Sequence, residues 1–167
     1  RRGWRLAGLG LMLALAGCAT GRMLGGVFHA PAERYRVRPP GDPWVAASLE
    51  PERLVFRAAD LPAAMALLED CTRPQAGELT WVARHLFFGL KDRRTLQREA
   101  ARVGGQPAVR SRIAGRLDGE PVALEAVTLR HAGCVYDLVY TAPPASFEVG
   151  RPAFEAFVAS FAPGARP

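Results

Sequence analysis

The chain of 167 residues is long enough for one ordinary domain but not for two domains joined by a linker. Hydrophobic residues make up 49% of it, which excludes a chain that is disordered throughout. The formal net charge is +6, but Lys91 is the only lysine and asparagine is absent. This bias is typical of GC-rich codon usage, so the arginines do not by themselves indicate binding to nucleic acid, and no nucleic-acid partner is expected.

The first 17 residues have the pattern of an export signal. Arg1, Arg2 and Arg5 make the start basic, and residues 6–16 form an uncharged, mostly apolar run. As a helix this run would reach about 16 Å, well short of the membrane hydrocarbon core of about 30 Å. We therefore expect residues 1–17 to be a secretory signal peptide and not a stable membrane span. Its removal takes away three arginines and lowers the net charge from +6 to +3.

The signal ends in Leu15-Ala16-Gly17-Cys18. This sequence resembles the lipobox of bacterial lipoproteins, in which a leucine, a small residue and Gly or Ala precede the cysteine. The resemblance implies cleavage between Gly17 and Cys18 and lipidation of Cys18, first on its thiol and then on the new amino group, for example with palmitate. Two or three acyl chains anchor a protein stably, whereas one chain is marginal. The alternative is an ordinary cleaved signal followed by a chance cysteine.

The residue after the cysteine is Ala19 and not Asp. Among Gram-negative lipoproteins, this choice implies the outer membrane in preference to the inner one. The resemblance therefore implies a lipid-anchored protein of the cell envelope that faces the periplasm.

The mature chain is expected to have three parts: a flexible tether over residues 18–34, one domain over 35–162 and a disordered tail over 163–167. The tether is predicted because glycines and Pro31 interrupt a segment without a sustained hydrophobic period. Short strands are predicted at 35–38 and 53–57. The segment 64–68 suits either a strand or the start of a helix.

Two helices are predicted, one central and one C-terminal. The central helix covers residues 78–90, because Leu79, Val82 and Leu86 recur on one face. The C-terminal helix is expected to begin at Pro152, since proline suits the first position of a helix. Its apolar stripe consists of Phe154, Phe157, Val158 and Phe161.

The strongest local signal is a β-hairpin at Asp118-Gly119, a pair that suits a type I′ turn. Pairing Leu117 with Glu120 places Ile113 opposite Leu124 on an apolar face. The same register places Arg112 opposite Glu125 on the other face, so charge and hydrophobic patterns agree. Further strands are predicted at 94–102 and 134–140, which together make an antiparallel meander.

The predicted fold class is α+β, an antiparallel β-meander sheet packed with a central and a C-terminal helix. The order of elements resembles the α/β/α sandwich of the PsbP-like extrinsic proteins. The corresponding pieces are Tyr35, Pro43-Trp44, the meander and the helix that ends in Ser160-Phe161. Members of that fold serve mainly as binding or assembly modules, and the resemblance implies such a role here.

Two cysteines remain after Cys18, namely Cys71 and Cys134. An even number of cysteines in an oxidising compartment favours a disulfide. Two buried free thiols are one alternative. A zinc site with His85 and His131 is another, but the spacing of these residues matches no usual zinc module. No metal and no other cofactor is expected.

No convincing catalytic set is visible. None of the four serines lies in a Gly-x-Ser-x-Gly motif. A set of His131, Asp137 and a serine is conceivable but weak, since Asp137 is expected on an outer face or at a strand edge.

Two groups of arginines stand out: Arg110, Arg112 and Arg116 on the hairpin, and Arg93, Arg94 and Arg98 before it. The favoured interpretation of both groups is a solvated surface. The alternative is contact with anionic lipid head groups or an acidic partner.

Three functional hypotheses follow. The first is a non-enzymatic, lipid-anchored envelope protein that binds a protein partner or assists assembly. The second is an auxiliary lipoprotein of a lipid or solute transport system, with an apolar ligand held among Trp81, Phe87, Phe88 and Phe154. The third is an envelope hydrolase.

Overall fold

A computed structural model describes residues 20–72, 77–87 and 89–165, with the backbone alone for His85. Its helices are α1 (Leu79–His85) and α2 (Phe147–Ser160). Its strands are β1 (Arg22–Leu24), β2 (Val27–His29), β3 (Tyr35–Val37), β4 (Trp44–Glu50), β5 (Arg53–Ala58), β6 (Ala64–Asp70), β7 (Lys91–Val103), β8 (Gln106–Leu117), β9 (Glu120–His131), β10 (Cys134–Ala142) and β11 (Ala162–Pro163).

The larger sheet is antiparallel and has the strand order β4-β5-β6-β10-β9-β8-β7. Its last four strands in the chain, β7 to β10, form the predicted meander. The register across the hairpin is the predicted one, with Leu117 opposite Glu120, Ile113 opposite Leu124 and Arg112 opposite Glu125. The fold is α+β, as the sequence predicts.

A smaller sheet, β1-β2-β3-β11, corrects the predicted ends of the domain. The segment 18–34 was expected to be a flexible tether, yet from Arg22 onward it forms β1, β2 and a 3₁₀ turn at Pro31–Glu33. The physical reason is Phe28, which is 2% exposed and stacks on Tyr35 in the main core. The tail from residue 163 is likewise ordered in part, because Pro163 pairs with β3.

The helices differ from their predicted bounds. α1 ends at His85, well before residue 90, although Phe87 and Leu90 still pack on the sheet beyond its end. α2 begins at Phe147, so Pro152 lies inside the helix and is not its first residue. The early start is stabilised by Phe147, whose ring lies 5.0 Å from that of Tyr140. The uncertain segment at 64–68 is strand β6, and β4 is a strand that the sequence did not predict.

The two helices cover opposite faces of the larger sheet. α2 packs Phe154 against Tyr140 in the main core, whereas Val139, the preceding residue of β10, belongs to a small cluster with Phe87 beside α1. Adjacent residues of a strand point to opposite faces, so the arrangement is α/β/α. All buried residues of both clusters lie between Phe28 and Phe161, so a chain that starts at Thr20 holds the whole described core and can fold by itself.

Candidate functional site

The predicted lipidation and cleavage residues, Gly17 and Cys18, lie outside the described residues. The structure nevertheless limits how far an anchor at Cys18 could hold the domain from a membrane. Strand β1 begins at Arg22, and an extended chain spans at most about 3.5 Å per residue, or about 14 Å from Cys18 to Arg22. Such an anchor would hold the folded domain close to the lipid surface. The helices in the described part of the chain do not include one that could span a membrane.

Cys71 and Cys134 form a disulfide, the pairing that the sequence favours. Their Cα atoms lie 4.0 Å apart because β6 and β10 are neighbours, with Asp70 opposite Val135. Since the two sulfurs are bonded to each other, they are not free to ligate zinc. Of the two histidines proposed as ligands, His131 has Nε2 2.8 Å from the carbonyl oxygen of Gly164, and the side chain of His85 lies outside the described part of the structure. The zinc set is therefore not assembled.

Beside the disulfide lies a buried ion pair that sequence reasoning missed. The carboxylate of Glu69, 1% exposed, accepts hydrogen bonds from Arg34 Nε at 3.0 Å and from Arg34 Nη2 at 2.7 Å. The hydrogen bond to Glu69 raises the pKa of Arg34 above its ordinary value, although burial opposes this. The pair joins the start of β3 to β6, so it ties the small sheet to the large one. Nothing local in the sequence indicates it, because the two residues are far apart in the chain.

The proposed hydrolase residues do not come together. Asp137 lies on the central strand β10, 4% exposed, where it accepts a 2.5 Å hydrogen bond from Thr128 Oγ1. It is therefore buried and does not lie at an outer face or strand edge. Thr128 and His131 are three residues apart on β9, so Asp137 and His131 face opposite sides of the sheet. No triad of these residues can form.

A polar cleft of about 290 Å³ lies between α2 and strands β7 and β8. At its base is Glu125 of β9, whose side chain is 1% exposed. Its carboxylate contacts the guanidinium groups of Arg110, Arg112 (3.4 Å) and Arg151 (3.0 Å). Two residues of β8 and one of α2 thus converge on a single carboxylate.

Glu148 and Glu155 of α2 complete the network. Glu155 accepts two hydrogen bonds from Arg110, at 2.6 and 2.9 Å, and Glu148 lies 3.5 Å from Arg112. Burial by itself would lower the pKa of Arg110, but the bonds to Glu155 and the charge of Glu125 raise it. Three arginines are thus balanced by three carboxylates. The expectation of a solvated arginine face is wrong for Arg110 and Arg112, because α2 covers that face.

The aromatic pocket proposed for an apolar ligand is not formed. Trp81 is 58% exposed on α1, whereas Phe87 belongs to the cluster beside α1 and Phe154 to the main core on the opposite face. Phe88 lies outside the described residues.

A different apolar groove, of about 540 Å³, opens at the end of the larger sheet. It lies between the β5–β6 connection and the tip of the β8–β9 hairpin. Its apolar lining includes Leu61, Pro62, Leu117, Pro121, Val122 and Pro143, and Arg57 and Glu120 also border it. Sequence reasoning missed this groove because its residues come from three separate segments of the chain.

No protein-family model matches the chain, and no curated protein matches it. Solved structures do match. One is a protein of unknown function, PA94 from Pseudomonas aeruginosa, described as a putative regulator; it has 19% identity and a TM-score of 0.59 over 89% of this chain and 97% of that one.

Two further structures support the same architecture. Cyanobacterial PsbP (CyanoP) from Synechocystis sp. PCC 6803 matches with 13% identity and a TM-score of 0.61, over 89% of this chain and 95% of that one. LpqN of Mycobacterium tuberculosis, described as involved in cell envelope biogenesis, matches with 17% identity and a TM-score of 0.55, over 78% and 83%. Identities this low establish the fold alone, and that fold is the PsbP-like α/β/α sandwich.

Proposed function

We propose that this chain is a lipid-anchored protein of the bacterial cell envelope, exposed to the periplasm, whose domain binds a partner or assists assembly without catalysing a reaction. The observation that carries the proposal is the sequence from Leu15 to Cys18, which resembles a lipobox and directly precedes a folded domain that contains a disulfide. A disulfide suits an oxidising compartment, and export directed by a lipoprotein signal would take the chain to such a compartment.

Two other findings support the proposal. His131, Asp137 and the two cysteines, which could have contributed to a catalytic or zinc site, make other contacts, and His131 and Asp137 lie on opposite faces of the sheet. One protein with the same fold, LpqN, is described as involved in cell envelope biogenesis. Because Ala19 and not Asp follows Cys18, the outer membrane is favoured over the inner membrane.

The test is metabolic labelling with palmitate, followed by membrane fractionation, of the full chain and of Cys18→Ser. The unsubstituted chain should carry the label and sediment with membranes, whereas Cys18→Ser should lose the label. Gly17→Ala is the matched control, since alanine also fits the lipobox position and should leave labelling intact. Label that persists in Cys18→Ser would refute lipidation at this residue.

A second candidate function is the carriage of an apolar ligand in an envelope transport system. The apolar groove at the end of the larger sheet favours it, because a lining of leucine, valine and proline suits an acyl chain. Native mass spectrometry of residues 20–167 purified from a bacterial periplasm should then show an added mass of lipid, lost on denaturation. A native mass equal to that of the bare chain would remove this candidate.

A further inference from the structure

The edge of the molecule where α1 meets β7 carries three arginines that we call the basic surface: Arg84, Arg93 and Arg98. Two of their guanidinium groups are held in place by neutral acceptors. Arg93 Nη1 donates to the backbone oxygen of Arg84 at 3.0 Å, and Arg98 Nε donates to Ser111 Oγ at 3.2 Å. The first bond brings Arg93 to the C-terminal end of α1, so the positions of these side chains are defined by the fold.

The described part of the chain supplies no close counter-charge to the basic surface. Among the described residues, no carboxylate oxygen lies within 4.0 Å of a nitrogen of these three side chains. The residues outside the described ranges include no Asp or Glu. Burial lowers the pKa of Arg98, and the positive charges of Arg84 and Arg93 lower it further. The three cations therefore repel one another, and an anion bound from outside would relieve that repulsion.

An exposed aromatic side chain adjoins the basic surface. Trp81 precedes Arg84 by three residues on α1, so the two lie on the same side of the helix, and Trp81 is 58% exposed. Leu96, on the edge strand β7, is 56% exposed. Tryptophan favours the boundary between lipid head groups and acyl chains, where one part of the indole is apolar and its N–H stays hydrated.

We propose that the basic surface, together with Trp81, docks on the anionic phospholipid head groups of a membrane. Phosphate groups would lie between the guanidinium groups, which donate hydrogen bonds in a planar fork that fits phosphate. A membrane is favoured over an acidic protein because of the exposed Trp81, and because an anchor at Cys18 would keep Arg22, where the folded domain begins, within about 14 Å of lipid. The inference deepens the proposed function and relies on it only for this second argument.

The test uses residues 20–167, which hold the whole described core and lack the anchoring cysteine, so it does not depend on lipidation. Binding is measured by co-sedimentation with vesicles of phosphatidylglycerol and phosphatidylcholine, and with vesicles of phosphatidylcholine alone. The domain should sediment with the anionic vesicles and be released by high salt, since surface charges are screened. The triple variant Arg84→Gln, Arg93→Gln, Arg98→Gln should bind on the order of 100-fold more weakly, at roughly fivefold per arginine.

The matched control removes three arginines elsewhere, by Arg36→Gln, Arg38→Gln and Arg57→Gln. These side chains are exposed, and among the described residues no carboxylate oxygen lies within 4.0 Å of them. The control has the same net charge as the triple variant, because each loses three arginines. It should retain most of the binding. Equal losses in the two triple variants would overturn the proposal, because they would show that net charge alone governs sedimentation.

Two further measurements distinguish loss of membrane binding from misfolding of the variant and from binding to a different partner. Arg84→Gln alone leaves both hydrogen bonds of the basic surface in place and should still weaken binding about fivefold. The fluorescence of Trp81 should shift to the blue with anionic vesicles, and the shift should be absent in Trp81→Phe. No sedimentation with anionic vesicles, combined with Arg84-dependent binding to polyglutamate, would replace the membrane with an acidic protein.

Discussion

Two sets of arginines lie on opposite faces of the sheet at strand β8, and they differ in the groups that their guanidinium groups contact. On the α2 face, Arg110 and Arg112 reach the buried Glu125 and the carboxylates of α2. On the α1 face, Arg98 donates to the hydroxyl of Ser111 and Arg93 to a backbone oxygen, and within the described part of the chain neither meets a carboxylate. Ser111 stands between Arg110 and Arg112 in the same strand, so the alternation of side chains sends neighbouring residues into different electrostatic environments.

The difference distinguishes arginines that build the fold from arginines that remain available for binding. A carboxylate as buried as Glu125 requires cations, and its three arginines in turn fix α2 on the sheet. The arginines of the basic surface neutralise no buried carboxylate among the described residues, because Arg98 and Arg93 donate to neutral acceptors, the buried hydroxyl of Ser111 and the backbone oxygen of Arg84. Composition alone could not separate the two sets, since both look like surface charge in the sequence.

The largest effect on stability should come from Glu125→Gln. This change leaves Arg110, Arg112 and Arg151 facing one another without the carboxylate on which they converge. Breaking a buried network of this kind costs about 3–5 kcal/mol of the free energy of unfolding. Urea denaturation followed by circular dichroism measures the loss.

The matched control for that prediction is Glu148→Gln, which belongs to the same network but is 66% exposed. An exposed ion pair contributes at most about 1 kcal/mol, so the control should unfold close to the unsubstituted protein. If Glu125→Gln were equally mild, the network would not hold α2 in place, and the contrast between the two arginine sets would fail.

A smaller and sharper comparison substitutes one arginine from each set. Arg110→Gln loses contacts with Glu125 and Glu155, so it should lower the free energy of unfolding by about 2 kcal/mol, as expected for hydrogen bonds to charged groups. Arg98→Gln loses one hydrogen bond to a neutral hydroxyl and relieves repulsion from Arg84 and Arg93, so it should change stability by less than about 1 kcal/mol.

The effects of the same two variants on vesicle binding should be reversed: Arg98→Gln should weaken binding, whereas Arg110→Gln should not. If Arg98→Gln were less stable than Arg110→Gln, the arginines of the basic surface would be shown to stabilise the fold. That result would remove the reason to assign that surface a partner.

The hairpin shows what the sequence could predict. Its register followed from an Asp-Gly turn and two local patterns, apolar and charged, that agree only when Leu117 faces Glu120. The opposition of Arg112 and Glu125 was therefore predicted, but the burial of Glu125 was not. That burial depends on Arg151 and Glu155 of α2, which the turn and its patterns do not specify.

The predicted tether failed for a related reason. Strands β1 and β2 have three residues each, and they are ordered by contacts with distant segments: Phe28 in the main core, and β11 pairing with β3. Strands this short show no hydrophobic period, although Gly25-Gly26, the two-residue turn between the paired Leu24 and Val27, was a local hairpin signal that the sequence analysis did not use. The apolar groove and the Arg34–Glu69 pair were missed because each depends on contacts between distant segments.

The measurement that tests the central claim most directly is the intact mass of the protein extracted with detergent from the membranes of a Gram-negative host. The account predicts a chain that begins at Cys18, carries the added mass of two or three acyl chains, and is two hydrogens lighter than its reduced form. A chain that begins elsewhere, or that begins at Cys18 without acyl groups, would contradict the lipid anchor. An unchanged mass after reduction would contradict the disulfide between Cys71 and Cys134.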